Sequence, residues 1–167
     1  MSEYHTVFGS LNDYQKGHIE IINDDPKAYA FSNIFEVASK SAPYEKVVVG
    51  KNLQYVIEVL RAEGVSDWYT CSHDEYAVCM DGEIEIDLIK LNDPDTIAPA
   101  DKEGSVRLAG EPAGRKMGRI VLRRGHQALL PKGAAYRYRN DKQAGVIMMQ
   151  TIQGDHSVEK WAEICYS

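Results

Sequence analysis

The sequence predicts an all-β domain, an antiparallel barrel or sandwich, on the basis of two observations. From residue 45 onward, short runs rich in Val, Ile, Tyr and Leu recur with Gly, Asn and Asp between them. Many short strands at this spacing are typical of all-β barrels and sandwiches. The length of 167 residues also fits one domain that buries an ordinary core. We therefore expect a single β domain.

The chain divides into an N-terminal arm, a β domain and a C-terminal helix. Residues 1–44 are polar and lack a sustained period, and within them SNIFEVASK predicts one short helix that begins at Ser32 or Asn33. Residues 156–167 predict a short amphipathic helix. Residues 45–155 hold the predicted strands, which are EKVVVGK, LQYVIEVLRAEG, WYTC, EYAVCMDG, EIEIDLIKL, GRIVLRRG, HQALLPKG, AAYRYRND and GVIMMQTIQG.

Two further segments of the β domain have a local prediction. Asp81-Gly82 favours a tight hairpin turn, because this pair supplies positive backbone dihedrals. The strand that follows alternates acidic residues with three apolar ones that should face the core, Ile84, Ile86 and Leu88. Residues 92–116 form a long connection with Pro and Gly, which either binds something or is a flexible insertion.

Composition excludes several classes of function. The formal charge of -6 would repel a phosphate backbone, so nucleic acid is a poor candidate partner. The sequence shows neither a charged start followed by an apolar run nor an apolar stretch long enough to cross a bilayer. The three cysteines are an odd number without a C-x-x-C pair, which predicts reduced thiols in a cytoplasmic protein.

Two segments resemble the motifs of the cupin superfamily. Glu75, six residues and then Gly82 match the end of the first motif, G-x5-H-x-H-x3,4-E-x6-G. Residues 125–140 match the second motif, G-x5-P-x-G-x2-H-x3-N, at every fixed position except one, where Tyr136 replaces histidine. The resemblance covers residues 50–152 and implies a cupin fold, a double-stranded β-helix of the jelly-roll type.

In metal-binding cupins the histidines and the glutamate of these motifs converge on a divalent metal, commonly Fe(II). Counting back from Glu75 places the first-motif histidines at Trp68 and Thr70 or at Tyr69 and Cys71, and counting forward from Gly64 gives Thr70 and Ser72. None of these residues is histidine. Only Glu75 remains of the four expected ligands, and one carboxylate cannot hold Fe(II). We therefore expect no metal and no catalytic residue in this chain.

The interior of the barrel should then be filled by side chains. A buried Glu75 without a metal needs a hydrogen-bonding partner, and we expect Tyr136 to form that pair inside the barrel. Strand spacing places Tyr138 on the same inner face, whereas Arg137 and Arg139 should face outward.

Two alternatives remain open for this interior. In the first, a rebuilt metal site joins His73, Glu75, His126 and Tyr136, and the chain is a self-sufficient metal-dependent dioxygenase. In the second, the chain is a metal-free cupin that binds or isomerises a small molecule with Tyr136, Tyr138 and Glu75.

Within the cupins, the small chain with an arm and histidine-free motifs resembles the small (alpha) subunit of the two-component hydroquinone 1,2-dioxygenases. The resemblance implies a non-catalytic subunit of an Fe(II)-dependent enzyme that converts hydroquinone to 4-hydroxymuconic semialdehyde. It implies that Fe(II) lies in a larger catalytic subunit, and that two small and two large chains form a heterotetramer with contacts between the small subunits. The substrate and the partner enter through the resemblance alone.

The arm is our candidate for the contact with the partner. It carries six aromatic side chains of the kind that interfaces favour, Tyr4, Phe8, Tyr14, Tyr29, Phe31 and Phe35. The alternative is an arm that folds back on its own barrel or on a second copy of the chain.

Overall fold

The computed structural model describes residues 9–15, 22–24, 33–160 and 163–164. The chain within these ranges is mostly β-strand. No helix in these ranges has the length and apolar character needed to cross a membrane. The elements in chain order are α1 Ile34–Ser39, β1 Lys46–Asn52, β2 Tyr55–Val65, β3 Trp68–Cys71, β4 Glu75–Asp81, β5 Glu83–Leu91, α2 Pro94–Ile97, β6 Ser105–Leu108, β7 Gly114–Arg123, β8 Gln127–Leu130, β9 Ala134–Ile152 and β10 Ser157–Val158.

The strands join into one sheet in which β9 is the central element. The main path runs β10-β1-β2-β9-β3-β6, while β4 and β5 also pair with β9 and carry β8 and β7 at their other edges. All pairs are antiparallel except β1 with β10. The two predicted strands AAYRYRND and GVIMMQTIQG are therefore one strand of 19 residues.

A bulge in β9 explains why the sequence suggested two strands. Against β2, the register moves from Ala62 opposite Gly145 to Gly64 opposite Asn140, so four residues of β9 have no partner there. Asn140 holds this bulge: its Nδ2 donates to the carbonyls of Ala62 at 3.0 Å and Gln143 at 2.9 Å. The asparagine of the second motif therefore has a structural role.

The predicted hairpin at Asp81-Gly82 is wrong. β4 and β5 do not pair with each other but follow each other along β9, with Asp81 opposite Val146 and Glu85 opposite Arg139. Gly82 has a φ of 79°, and a Cβ there would lie 3.0 Å from the Cα of Gly145. Gly82 thus permits the chain to bend between β4 and β5, at a point where its backbone comes close to the backbone of β9.

Two layers of apolar side chains cover the two faces of the sheet. The inner face carries the main core, which includes the predicted Ile84, Ile86 and Leu88 together with Tyr69, Tyr136 and Tyr138. On the outer face, α1 packs its buried Val37 and Ala38 against a second cluster from β1, β2 and β9. Asn33 caps α1, since its side chain accepts from the backbone N of Phe35 at 2.9 Å.

Two other sequence predictions need correction. The predicted loop over 92–116 contains α2, β6 and the start of β7, because its short strands pair with β3 and β5. The predicted helix over 156–167 does not begin at its predicted start: Ser157 and Val158 form β10 and pair with β1. Residues 163–164 are helical, and the rest of that predicted helix beyond residue 160 lies outside the described residues.

Candidate functional site

The inner face brings the four motif positions together. Tyr69 and Cys71 on β3, Glu75 at the start of β4 and Tyr136 on β9 are all buried. Tyr69 is the register partner of Tyr136, and their ring centroids lie 6.2 Å apart. Trp68 belongs to a separate cluster, and the hydroxyls of Thr70 and Ser72 donate to the backbone carbonyls of Ala134 and Lys102. The pair Tyr69 and Cys71 therefore corresponds to the first-motif histidines.

Glu75 is the one motif carboxylate, with 1% of its surface exposed. Its Oε1 accepts a hydrogen bond from Thr151 Oγ1 at 2.8 Å. Burial, followed by the negative charge of Glu75, raises the pKa of Tyr136 well above its ordinary value. The same two causes raise the pKa of the Cys71 thiol. Both side chains are therefore neutral neighbours of this carboxylate.

A buried lysine, which the sequence reasoning missed, lies among these side chains. Lys46 opens β1 and has 2% of its surface exposed. Its Nζ donates to Ser105 Oγ at 2.6 Å and to Tyr136 Oη at 3.4 Å. The same nitrogen lies 4.4 Å from the ring centroid of Tyr69, which is within the range of a cation–π contact.

A second buried carboxylate, Glu58 on β2, was also missed. It is 1% exposed and accepts a hydrogen bond from Ser157 Oγ on β10. Burial raises its pKa, while the positive charge of Lys46 acts in the opposite direction. The sequence contains a signal for its burial. Glu58 lies two residues from each of the buried Val56 and Leu60, so strand alternation places all three side chains on the same face.

The two histidines of the rebuilt-site alternative lie apart. His73 is close to Glu75, because its Nε2 lies 3.0 Å from Thr151 Oγ1, the hydroxyl that donates to Glu75. His126 is exposed in the turn between β7 and β8, where its Nδ1 accepts from the backbone N of Arg123 at 3.1 Å. The structure therefore brings His73, but not His126, next to the carboxylate.

One group of side chains has the composition of a metal site. The donor atoms of Cys71, His73 and Glu75 all lie within 4.8 Å of one another. His73 Nε2 already accepts from the backbone N of Ile152 at 3.3 Å, whereas His73 Nδ1 and Glu75 Oε2 are buried without a hydrogen-bond partner among the described residues. The positive charge of the buried Lys46, which acts on the Cys71 thiol, disfavours a divalent metal here.

An open cleft of about 440 Å³ reaches Glu75 from outside the sheet. Its walls include His73, Tyr55 and Tyr76, and both tyrosines are exposed. Tyr136 and Tyr138 are not among the described residues that line this cleft. The three side chains suggested for small-molecule binding therefore do not share one opening.

The outward-facing arginines form a cluster of their own. Arg137 and Arg139 lie beside Asp87, with Nη2 of Arg137 at 3.1 Å and Nη2 of Arg139 at 3.8 Å from Oδ2. Arg119 Nε donates to Oδ1 of the same carboxylate at 3.0 Å. Arg137 also stacks on Trp68, with its guanidinium carbon 4.4 Å from the ring centroid. The cluster stabilises the face of the sheet opposite the core.

The described part of the arm contacts its own chain. Phe35 packs against the outer cluster, and Tyr14 Oη lies 3.4 Å from Ser39 Oγ. Leu11 donates its backbone N to Asp81 Oδ2 at 2.8 Å. The other four aromatic candidates lie outside the described residues, and they are Tyr4, Phe8, Tyr29 and Phe31.

No family model matches the chain, and no curated protein matches it. Chains of several solved structures match it. A chain of hydroquinone 1,2-dioxygenase from Sphingomonas sp. TTNP3, with 4-hydroxybenzoate bound, is 55% identical over 98% of both chains, with a TM-score of 0.92. A chain of the hydroquinone 1,2-dioxygenase PnpCD, in complex with Cd²⁺ and 4-hydroxybenzonitrile, is 53% identical over 98% of this chain and 97% of that one, with a TM-score of 0.90.

The same two enzymes each provide a second, more distant match. A PnpCD chain is 12% identical over 85% of this chain but 38% of its own length, with a TM-score of 0.61. A chain of the Sphingomonas enzyme is 13% identical over 85% of this chain and 39% of its own length, with a TM-score of 0.57. These distant matches show a shared fold, and with the two motif segments on adjacent strands they agree with the expected cupin fold. The near end-to-end matches show more: the chain belongs to the hydroquinone 1,2-dioxygenase family.

Proposed function

We propose that this chain is the small, non-catalytic subunit of an Fe(II)-dependent ring-cleaving hydroquinone dioxygenase. One observation carries the proposal. In both related enzymes, one chain matches this protein almost end to end at 53–55% identity, while a second chain more than twice as long matches at 12–13%. Such enzymes contain two kinds of chain, and this protein corresponds to the shorter one.

The chemistry of the inner face supports a non-catalytic role. Tyr69, Cys71 and Tyr136 replace the three motif histidines, and Lys46 places an ammonium beside them. Neutral phenols and a neutral thiol do not hold Fe(II) in the way that imidazoles do. We therefore propose that iron resides in the longer chain and that this chain binds no metal.

The role left to this chain is to stabilise or complete its partner. In the proposed reaction, hydroquinone and O₂ give 4-hydroxymuconic semialdehyde, and both oxygen atoms enter the product. We propose a heterotetramer of two small and two large chains, located in the cytoplasm, in which the small chains also touch. The exposed Tyr55 and Tyr76 offer one surface for such contacts, and we propose the aromatic arm as the other.

Co-expression tests the proposal. This chain is produced together with the longer chain of the Sphingomonas enzyme. In the matched control, the longer chain is produced with the shorter chain of the Sphingomonas enzyme in place of this chain. We expect a stable complex, hydroquinone-dependent oxygen uptake in the complex, and iron only in the longer chain. The proposal is wrong if this chain, purified alone and loaded anaerobically with Fe(II), holds about one iron and consumes oxygen with hydroquinone.

A second candidate is a self-sufficient metal enzyme with a rebuilt site. It is favoured by the proximity of the Cys71, His73 and Glu75 donor atoms. This candidate predicts stoichiometric metal in the chain alone, and loss of that metal in both Glu75→Ala and His73→Ala. Metal content per protein after a chelator wash distinguishes the two candidates, because the small-subunit proposal expects none in any of the three proteins.

A further inference from the structure

We propose that the ammonium of Lys46 is the built-in cation of the inner face, in the place where related barrels hold a metal ion, with Glu58 and Glu75 as its counter-anions. The inference goes beyond the proposed function, since it concerns only residues of this chain and holds with or without a partner. It also gives a physical reason to expect no divalent metal in the barrel.

Lys46 lies among the motif positions of the inner face. Lys46 reaches from β1 to three other strands: Ser105 on β6, Tyr136 on β9 and Tyr69 on β3. Tyr69 and Tyr136 occupy two of the four motif ligand positions. The nitrogen thus lies at the convergence of the side chains that would surround a metal, and it is held by oxygen and aromatic faces rather than by imidazoles.

Lys46 carries its charge into the interior of the protein, with 2% of the residue exposed. A buried ammonium requires negative charge nearby, since an isolated buried charge is strongly unfavourable. Glu58 and Glu75 are both 1% exposed. Glu58 accepts from Ser157, the register partner of Lys46, and Glu75 lies on the inner face with Tyr136, to which the Lys46 ammonium donates. Two carboxylates and one ammonium therefore share one enclosed region.

The ammonium of Lys46 disfavours a metal ion beside it. A covalently attached ammonium supplies three donors and cannot dissociate, and a divalent ion placed beside it would meet like charge. The acceptors that Lys46 Nζ contacts directly are the hydroxyl of Ser105 and the phenol of Tyr136, which accept hydrogen bonds from an ammonium but are weak ligands when neutral. The inner face is thereby closed to the metal chemistry of its fold.

The competing explanation is a lysine that packs in the core without electrostatic coupling to the carboxylates. A double-mutant cycle separates the two. Lys46→Met keeps most of the length of the side chain and removes its charge, and Glu75→Gln removes one counter-charge at nearly constant size. Lys90→Met, at an exposed position of β5, is the matched control for loss of a surface lysine.

Thermal unfolding of the full chain gives the readout. We expect Lys46→Met to lower Tm by about 10 °C and Lys90→Met to leave it nearly unchanged. Adding Glu75→Gln to Lys46→Met should raise Tm again, by roughly half of the loss. A double variant that is less stable than Lys46→Met, by the sum of the two single losses, overturns the proposal.

A second measurement covers the case in which Lys46→Met does not fold. The chelator-washed wild-type chain is heated with Mn²⁺, Zn²⁺ or anaerobic Fe²⁺, and we expect no rise in Tm with any of them. A metal-dependent rise that disappears in Glu75→Gln overturns the proposal, because the ion would then occupy the place assigned to Lys46. Failure to associate with a longer chain would contradict the proposed function and leave these Tm results unchanged.

Discussion

Replacement of Asp87 by Asn should destabilise the chain through the arginine cluster on the outer face of β5, β7 and β9. The Asp87 side chain is 11% exposed and its partners Arg137 and Arg119 are 23% and 45% exposed. Exposed ion pairs contribute about 0.2–1 kcal/mol, whereas breaking a buried pair costs about 3–5 kcal/mol. This half-buried cluster lies between these limits, so we expect a loss of about 2 kcal/mol, or a Tm lower by about 4–8 °C.

The pH dependence of this loss gives a sharper test. Burial raises the pKa of Asp87, but hydrogen bonds from Arg119 and Arg137 outweigh burial and lower it below its ordinary value. Because the folded pKa lies below the unfolded one, the stabilisation is fully present above the unfolded pKa and is lost as pH falls through the folded value.

The assay is thermal unfolding of wild type and Asp87→Asn between pH 7 and pH 3, with Asp95→Asn as the control. Asp95 has a side chain that is 77% exposed and lies 3.6 Å from Lys132. We expect the Tm difference between wild type and Asp87→Asn to be largest near pH 7 and to shrink below about pH 4, while Asp95→Asn stays close to wild type throughout. An equal Tm difference at pH 7 and pH 3 would refute the electrostatic argument.

Two further predictions concern backbone contact and thiol burial. Gly145→Ala should lower stability by about 1–3 kcal/mol, because its Cβ would lie 2.5 Å from the carbonyl oxygen of Asp81; Gly110→Ala, with nothing within 4 Å of its Cβ, is the neutral control in the same urea titration. Native Cys71 and Cys79 should resist a thiol reagent at pH 8 and react in urea, since both are buried and burial raises the pKa of Cys79 to about 11. Peptide mass mapping checks the labelling, and native labelling of Cys79 at the rate of a free thiol would contradict it.

The strands were predictable because their side chains alternate and Gly or Asn separates them. Val56, Leu60 and Ala62 on β2 illustrate the pattern, since they are buried at a period of two. The sequence predicts a hairpin at Gly82 because Asp-Gly is equally compatible with a hairpin turn and with a bend between two successive strands. Only the pairing of β4 and β5 with the distant β9 decides between the hairpin and the bend, and a single sequence does not carry that information.

The interior charges were harder to recognise than the missing histidines. Glu58 could have been found, since it stands alone on an apolar strand face between Val56 and Leu60. Lys46 was missed because a lysine at a strand start usually belongs to the surface, and its partner Ser105 lies 59 residues away in a segment that was predicted to be a loop. Side chains that meet only through long-range pairing leave no local pattern in the sequence.

The central place of β9 has a consequence for how the chain folds. β2, β3, β4 and β5 all precede β9 by many residues, yet each of them completes its pairing only on that strand. During synthesis, the strands within residues 55–91 therefore keep unpaired edges until residues 134–152 have left the ribosome. Contacts this distant in sequence slow folding and expose unpaired edges to aggregation in the meantime. Production of this chain should then benefit from low temperature, which weakens hydrophobic association.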